Sequence, residues 1–252
     1  MPEPSAAPAL PAPAAGAPVV LVTGGSGAVG RAIVRRFRTD GAAVAFTWRQ
    51  RREAAEKLVA ETGAFAVQAE LTRAAEVTAA VAAVEQRFGR IDVLVNNAGA
   101  TQVMPFALLE ESDWDEVLAS NLKSLFLVTR AVVRGMIARK AGSIVNLGSL
   151  AGHRLLAVPV HYATAKAGVC GFTIALAGEL ARYGIRVNTV VPGMLAEGVG
   201  TMVPPREVED YVAHCAARRP GQPAEVAEMI AFLASAKASY VNGQHIFVDG
   251  GI

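Results

Sequence analysis

From Val19 onward, short apolar runs alternate with stretches of helical period, and this alternation limits the fold more than any single motif. Val19–Thr23 is an apolar run that ends in glycines, as a buried parallel strand does. Val29, Ile33 and Phe37 then recur every fourth residue with Arg31, Arg35 and Arg36 between them, the pattern of an amphipathic helix. Asp40-Gly41 stops it. The same reading gives strands at Ala43–Thr47, Ala64–Ala69, Val93–Asn96, Ser143–Leu147, Arg186–Val191 and His245–Val248. Helices fall at Arg52–Glu61, Ala74–Phe88, about Trp114 to Lys140, about Val160 to Tyr183, and Ala224–Ala234. Strands separated by helices imply a parallel sheet covered on both faces. With right-handed crossovers this is an α/β fold: one doubly wound, Rossmann-type domain with a central parallel sheet of about seven strands.

The domain is expected to span 19–252. Residues 1–18 are rich in Ala and Pro and are expected to form a disordered tail. They lack the basic stretch and apolar core of a secretory signal. Met194–Arg206 has no clear period and holds Gly198, Gly200, Pro204 and Pro205, so it reads as a lid or binding loop.

Composition narrows the functional class. Hydrophobic residues make up 52% of the 252 and charged residues 18%, enough apolar material for a full core. The net charge of +2 gives no basic face for nucleic acid. No stretch reaches the ~18 apolar residues of a membrane span. Cys170 and Cys215 are too few for a disulfide framework or a thiolate metal cage, which points to a reducing compartment, the cytoplasm.

The first strand runs into Thr23-Gly24-Gly25-Ser26-Gly27-Ala28-Val29-Gly30, in which Gly25, Gly27 and Gly30 fit G-x-G-x-x-G. A strand-to-helix turn without Cβ atoms lets backbone N–H groups approach a pyrophosphate, and the helix N-terminus adds partial positive charge. At the end of the second strand, where a carboxylate would bind a ribose 2′-hydroxyl, the sequence reads Thr47-Trp48-Arg49-Gln50-Arg51-Arg52. Arginine suits a 2′-phosphate, so NADP(H) is expected over NAD(H), with Arg49 the first candidate.

Tyr162 and Lys166 are four apart at the start of a helix and share a face. A nearby ammonium stabilises a phenolate, so the pair is expected to exchange protons near neutrality. Ser149, thirteen positions before Tyr162, follows a strand, and Asn96-Asn97-Ala98-Gly99 ends another on the same edge, where such sheets bind ligands. Asn121 lies in the long helix that comes next. His153 and His161 flank this region, but two histidines do not make a metal set, and no metal is expected.

These motifs, in this order and spacing, resemble those of the short-chain dehydrogenase/reductases over about Val19 to Ile252. The carboxyl end, from Gly221-Gln222-Pro223-Ala224-Glu225 to Val248-Asp249-Gly250-Gly251, is similar to that of the 3-oxoacyl-carrier-protein reductases, an end shared with many sugar and steroid dehydrogenases. The resemblance implies that Tyr162 delivers a proton to the carbonyl oxygen, that Ser149 positions that oxygen, that Lys166 holds the nicotinamide ribose and lowers the Tyr162 pKa, and that Asn121 supports a relay water. It places Asn97, Ala98 and Gly99 along the cofactor's adenosine and ribose side, Pro192 and Gly193 beside the nicotinamide, Glu70-Leu71 at the adenine, and Leu195 among the cofactor-binding residues. It implies a homotetramer, with the Ala- and Gly-rich helix Ala163–Ala181 packed on its symmetry mate. An acidic acyl carrier protein would need a basic rim, for which Arg134, Arg139, Lys140 and Arg182 are the candidates.

Three positions depart from the family pattern. Ala28 replaces the middle glycine of the turn, Glu70 stands for the usual Asp, and Glu197 occupies the place of a Thr after Pro192-Gly193. The activity expected is NADPH-dependent reduction of a 3-oxoacyl thioester in fatty-acid or polyketide synthesis. Dehydrogenation of another secondary alcohol, or a non-catalytic nucleotide-binding subunit, are the alternatives.

Overall fold

The computed structural model describes residues 14–154, 156 and 158–252; positions 1–13 of the expected tail lie outside the described residues. Ala14–Ala17 form a turn, and the Arg90 guanidinium donates to the carbonyls of Gly16 and Ala17.

Seven parallel strands form one sheet in the order β3-β2-β1-β4-β5-β6-β7. They are β1 (Val19–Val22), β2 (Ala43–Trp48), β3 (Phe65–Gln68), β4 (Val93–Asn96), β5 (Gly142–Leu147), β6 (Ile185–Pro192) and β7 (His245–Val248). The central strands are buried on both faces, which is why they read as unbroken apolar runs rather than alternating ones. On one face α1 (Ala28–Thr39), α2 (Arg52–Thr62) and α8 (Pro223–Ala234) bury Ile33, Phe37, Leu58 and Ile230 against Val20, Val22 and Phe46. On the other, α3 (Ala74–Phe88), α5 (Ser124–Arg139) and α6 (Val160–Leu180) bury Val81, Val84, Val132, Met136 and Leu180 against Leu21, Leu94 and Ile144. Strand order reverses at β1, between β2 and β4, and the crevice beyond the carboxyl ends there is where such sheets take ligands.

Two elements differ from the sequence reading. The long helix expected from Trp114 to Lys140 is α4 (Glu111–Leu118) and α5, joined by one turn of π-helix at Ala119–Lys123 that contains Asn121. An extra residue in a helical turn leaves the 3.6-residue period almost intact on either side, so periodicity does not reveal it. The loop expected at Met194–Arg206 holds a short 3₁₀ turn, Gly198–Met202, and its last residues open α7 (Pro205–His214). Pro205 at the first helical position and Glu207 in the first turn are the start signals that the glycines and prolines before them masked.

A buried polar ladder crosses the sheet below its carboxyl edge. Asn96 donates to Thr129 and to Asn146, both at 2.9 Å; Asn146 donates to Thr173 at 2.8 Å; and Thr173 meets Thr189 at 2.7 Å. It pins β4, β5, β6, α5 and α6 in one register directly under the site, because each buried group loses its partner if one element slides.

Both cysteines are free and buried. Among the described residues, no helix is long and apolar enough to cross a membrane.

Candidate active site

A single cavity of about 1260 Å³ runs along the carboxyl edge of β1, β4, β5 and β6. Its floor begins at the glycine turn. Gly24 has φ 66°, a left-handed conformation that side chains resist, and a Cβ on Gly30 would run into the Gly24 carbonyl. The turn therefore keeps its backbone close to the cavity at the head of α1, where Ser26, Ala28 and Val29 also line it. Thr23 supports it from below: its hydroxyl accepts from the backbone N–H of Asn97 (2.9 Å) and Ala98 (3.0 Å), and the Asn97 side chain donates to the carbonyls of Thr23 and Gly24. Of the residues read as cofactor-binding, Thr23 and Gly25 do not line the cavity. Both are buried, and a Cβ on Gly25 would strike the Phe46 ring, so their part is to let the turn sit down on the sheet. A close-lying glycine turn ahead of a helix N-terminus fits a dinucleotide's pyrophosphate.

The other residues so read, Gly24, Ser26, Gly27, Ala28, Val29, Gly30, Arg49, Glu70, Leu71, Asn97, Ala98, Gly99, Pro192, Gly193 and Leu195, face this one space together with Asn121, Ser149, Tyr162 and Lys166. Arg49 and Glu70, read separately, form an ion pair at 3.1 Å. Burial pushes the Glu70 carboxyl up, but hydrogen bonds from Thr72 and Arg49 outweigh it and hold the group below its ordinary value.

Lys166 reaches in from α6 and donates to the Leu147 carbonyl at 3.0 Å, with Nζ 5.7 Å from the centre of the Tyr162 ring. Its side chain is buried, which lowers its pKa to about 8. Burial raises the Tyr162 phenol, and the hydrogen bond to Ser149 only partly offsets this. The net direction is upward, opposite to the lowering expected from the Lys166 ammonium. Taking the phenolate out of water outweighs the Ser149 hydrogen bond, and Lys166 lies over the ring face rather than at the hydroxyl. Ser149 accepts from the Ala151 N–H at 3.1 Å, which fixes its hydroxyl oxygen at the end of β5.

The π-turn turns the Asn121 amide into the site. Its Nδ2 donates to the carbonyls of Ala100 (2.6 Å) and Val117 (2.9 Å), while its Oδ1 is buried with no partner among the described residues. Gly99 packs on that oxygen; any Cβ there would run into it and would lie 3.6 Å from the Lys166 ammonium.

Glu197 and Ala28, departures that the sequence left without an account, meet across the cavity mouth. Glu197 pairs with Arg31 of α1 at 3.5 Å, and a Cβ on the neighbouring Gly198 would lie 3.3 Å from the Ala28 methyl. The carboxylate thus faces an arginine on α1, and the extra methyl packs against the lid. Sequence reasoning missed Tyr211 of α7, whose hydroxyl accepts from the Met194 N–H at 3.1 Å and donates to the Asp249 carbonyl at 3.0 Å. It ties the lid to the chain's carboxyl end. A single tyrosine in an amphipathic helix carries no sequence signal for this.

Arg134, Arg139, Lys140 and Arg182 do not rim this cavity. They sit in or after the last turns of α5 and α6, just before β5 and β6 begin, which is the amino edge of the sheet. Arg139 is also tied to the Ile91 carbonyl at 2.6 Å, and Arg182 lies over the Tyr183 ring. Helix ends that lead into strands necessarily lie opposite the edge where ligands bind.

Residues 25–252 match the family model described as enoyl-(acyl carrier protein) reductase. The chain is 38% identical over 237 residues to a 3-oxoacyl-(acyl-carrier-protein) reductase of Staphylococcus aureus, an alignment covering 92% of this chain and 96% of the relative. A reductase of the same name from Thermotoga maritima is 39% identical, with 93% and 97% covered. One from Vibrio cholerae is 36% identical, with 93% and 96% covered. Matches of this extent leave almost no part of the fold unaligned, and the chain belongs to the short-chain dehydrogenase/reductase family of oxidoreductases.

Proposed function

We propose that this protein reduces the 3-oxo group of an acyl thioester, carried on an acyl carrier protein, to the 3-hydroxy thioester with NADPH in fatty-acid or polyketide synthesis. The observation that carries the reading is that Ser149, Tyr162, Lys166 and Asn121 share one cavity with the glycine turn. The names of the relatives supply the substrate class.

A bound nicotinamide supplies the hydride. The Tyr162 phenol, protonated because burial raises it, donates its proton to the carbonyl oxygen. Ser149 donates a hydrogen bond to the same oxygen as negative charge develops there. Lys166 holds the ribose hydroxyls as an ammonium, a state it loses as pH rises through about 8. The unpartnered Asn121 Oδ1 holds a water through which the proton drawn from Tyr162 is replaced by way of Lys166.

Arg49 is assigned to the 2′-phosphate, in competition with Glu70. Arg49→Asp is expected to raise the KM for NADPH by about 10- to 100-fold, the worth of a charge-assisted hydrogen bond, while changing that for NADH far less. Initial rates with each cofactor check this, and an equal effect on both would sink the assignment.

An oligomer built by pairing α6 with its twofold mate explains the basic helix ends. With the twofold axis perpendicular to α6, the two helices run antiparallel, which sets Arg182 of one chain beside the start of α6, and so the cavity mouth, of the other. Gly171 and Gly178 face open space on α6, and Ile174 is exposed, as a close-packed helix pair requires. Docking of an acidic carrier protein at Arg134, Arg139, Lys140 and Arg182 then serves the neighbouring subunit's site in a homotetramer. The buried free cysteines suit the cytoplasm.

The deciding experiment mixes purified protein with a short 3-oxoacyl thioester and follows nicotinamide absorbance with NADPH and NADH in parallel. Rapid loss with NADPH alone is expected. No loss with either cofactor, in folded protein that binds NADPH, overturns the reading in favour of another alcohol substrate or a non-catalytic subunit.

A further inference from the structure

Outside the cavity, His153, Cys170 and His245 come together from three separate segments: the loop after β5, the middle of α6, and edge strand β7. One potential ligand atom from each lies within 4.8 Å of the other two, and His153 Nε2 is 3.0 Å from the Cys170 sulfur. A tetrahedral zinc ion with ordinary Zn–S and Zn–N bonds holds its S and N ligands about 3.5 Å apart. The known spacings, 3.0 Å and at most 4.8 Å, therefore bracket the required one.

The surroundings also suit an ion. The His245 ring is oriented by its Nε2, which donates to the Cys170 carbonyl at 3.2 Å, leaving the other ring nitrogen with a free lone pair. His153 packs edge-on against both His245 and Phe247, and the Arg154 guanidinium lies 5.2 Å over the Phe247 ring. Phe247 thus packs on one side of the cluster, while the Arg154 charge, like that of Lys166, works against a bound cation. Cys170 is buried and the two histidines are half-buried, so a path from solvent remains. A set of one thiolate and two imidazoles, with no carboxylate among them, selects thiophilic first-row ions over magnesium or calcium. The two histidines singled out in the sequence were His153 and His161. The fold separates them: His161 is fully buried with neither ring nitrogen paired among the described residues, and His153 gains Cys170 and His245 instead.

We propose that His153, Cys170 and His245 form a three-ligand site for a zinc-class divalent ion, with its fourth position open. Cys170 is one helical turn beyond Lys166 and two beyond Tyr162, while His153 is four residues after Ser149. The ion would clamp the loop that carries Ser149 to the helix that carries Tyr162 and Lys166. Binding displaces the thiol proton to solvent and involves no electron transfer. The nearby Lys166 charge works against the ion, and the single thiolate offsets part of that.

The test uses the full, reduced, metal-stripped chain titrated with Co²⁺, with Zn²⁺ as competitor. One equivalent per chain is expected, giving a thiolate-to-cobalt charge-transfer band that Zn²⁺ abolishes while raising Tm. Cys170→Ser removes the band, and Cys215→Ser keeps it. His245→Gln, a half-buried position on an edge strand, weakens both ions by more than about 100-fold, the upper end of what altering only an outer partner of a ligand does. Absence of the band in the parent protein, its survival in Cys170→Ser, or unchanged affinity in folded His245→Gln overturns the site. None of these readouts depends on turnover, so the proposal stands or falls apart from the reductase reading.

Discussion

Tyr162→Phe is expected to lower turnover by at least about 10²- to 10⁴-fold, the usual share of a positioned general acid, while NADPH binds as before. The substitution removes one oxygen and leaves the ring under the Lys166 ammonium. The packing that shapes the cavity is therefore kept, and only the proton donor is lost. Single-turnover absorbance and a separate fluorescence titration of NADPH check the two halves of the expectation. A variant that binds cofactor and still reduces substrate at the parent rate would remove Tyr162 from the mechanism and leave Ser149, its hydrogen-bond partner, to be tested as the donor. In the proposed mechanism reduction uses a protonated phenol and a charged Lys166, so the parent's turnover is also expected to fall as pH rises through about 8.

Lys166→Met is expected to abolish turnover and yet stabilise the fold. The lysine's pKa is about 8 in the folded protein against an ordinary 10.5. Below pH 8 the folded and unfolded forms both carry the charge, and the full cost of burying it is present. Between 8 and 10.5 the folded form releases a proton that the unfolded form keeps, so stability rises with pH. The difference corresponds to about 3 kcal/mol at most. Methionine fills nearly the same volume without the charge but leaves the Leu147 carbonyl without its donor, a loss of about 1–3 kcal/mol. A net gain of about 1 kcal/mol at pH 7 is expected, read as a rise in Tm of about 2–4 °C. The rise in parental stability between pH 8 and 10.5 should be absent from the variant. Lower Tm at pH 7 with an unchanged pH profile would show that the buried ammonium is not a source of strain. The expected result makes Lys166 a residue kept at the expense of stability.

The parallel sheet and the head of the site were legible in the sequence because both are local. A central strand buried on two faces must be an unbroken apolar run, and all seven runs from Val19 to Val248 became strands. The glycine turn is legible for the same reason, since a side chain at Gly30 would collide with the backbone six residues before it. Tyr162 and Lys166 share a face through helix period alone.

What joins distant segments was decided only by the tertiary structure. The sequence places Arg49 and Glu70 at the ends of two strands, but only the pairing of β2 with β3 makes them an ion pair. Asn121 owes its orientation to a π-turn that helix period does not register. The same holds for Tyr162. Spacing predicts a phenol lowered by its lysine, whereas burial, a property of everything packed around it, moves it the other way. Arg134, Arg139, Lys140 and Arg182 are a basic group in the sequence, and chain direction alone puts them on the far edge of the sheet. His153, Cys170 and His245 are 17 and 75 residues apart along the chain, so no motif could announce them, and three elements had to pack before they could meet. Local sterics and period are written in neighbouring residues, whereas partners, burial and charge environment exist only once the chain has closed on itself.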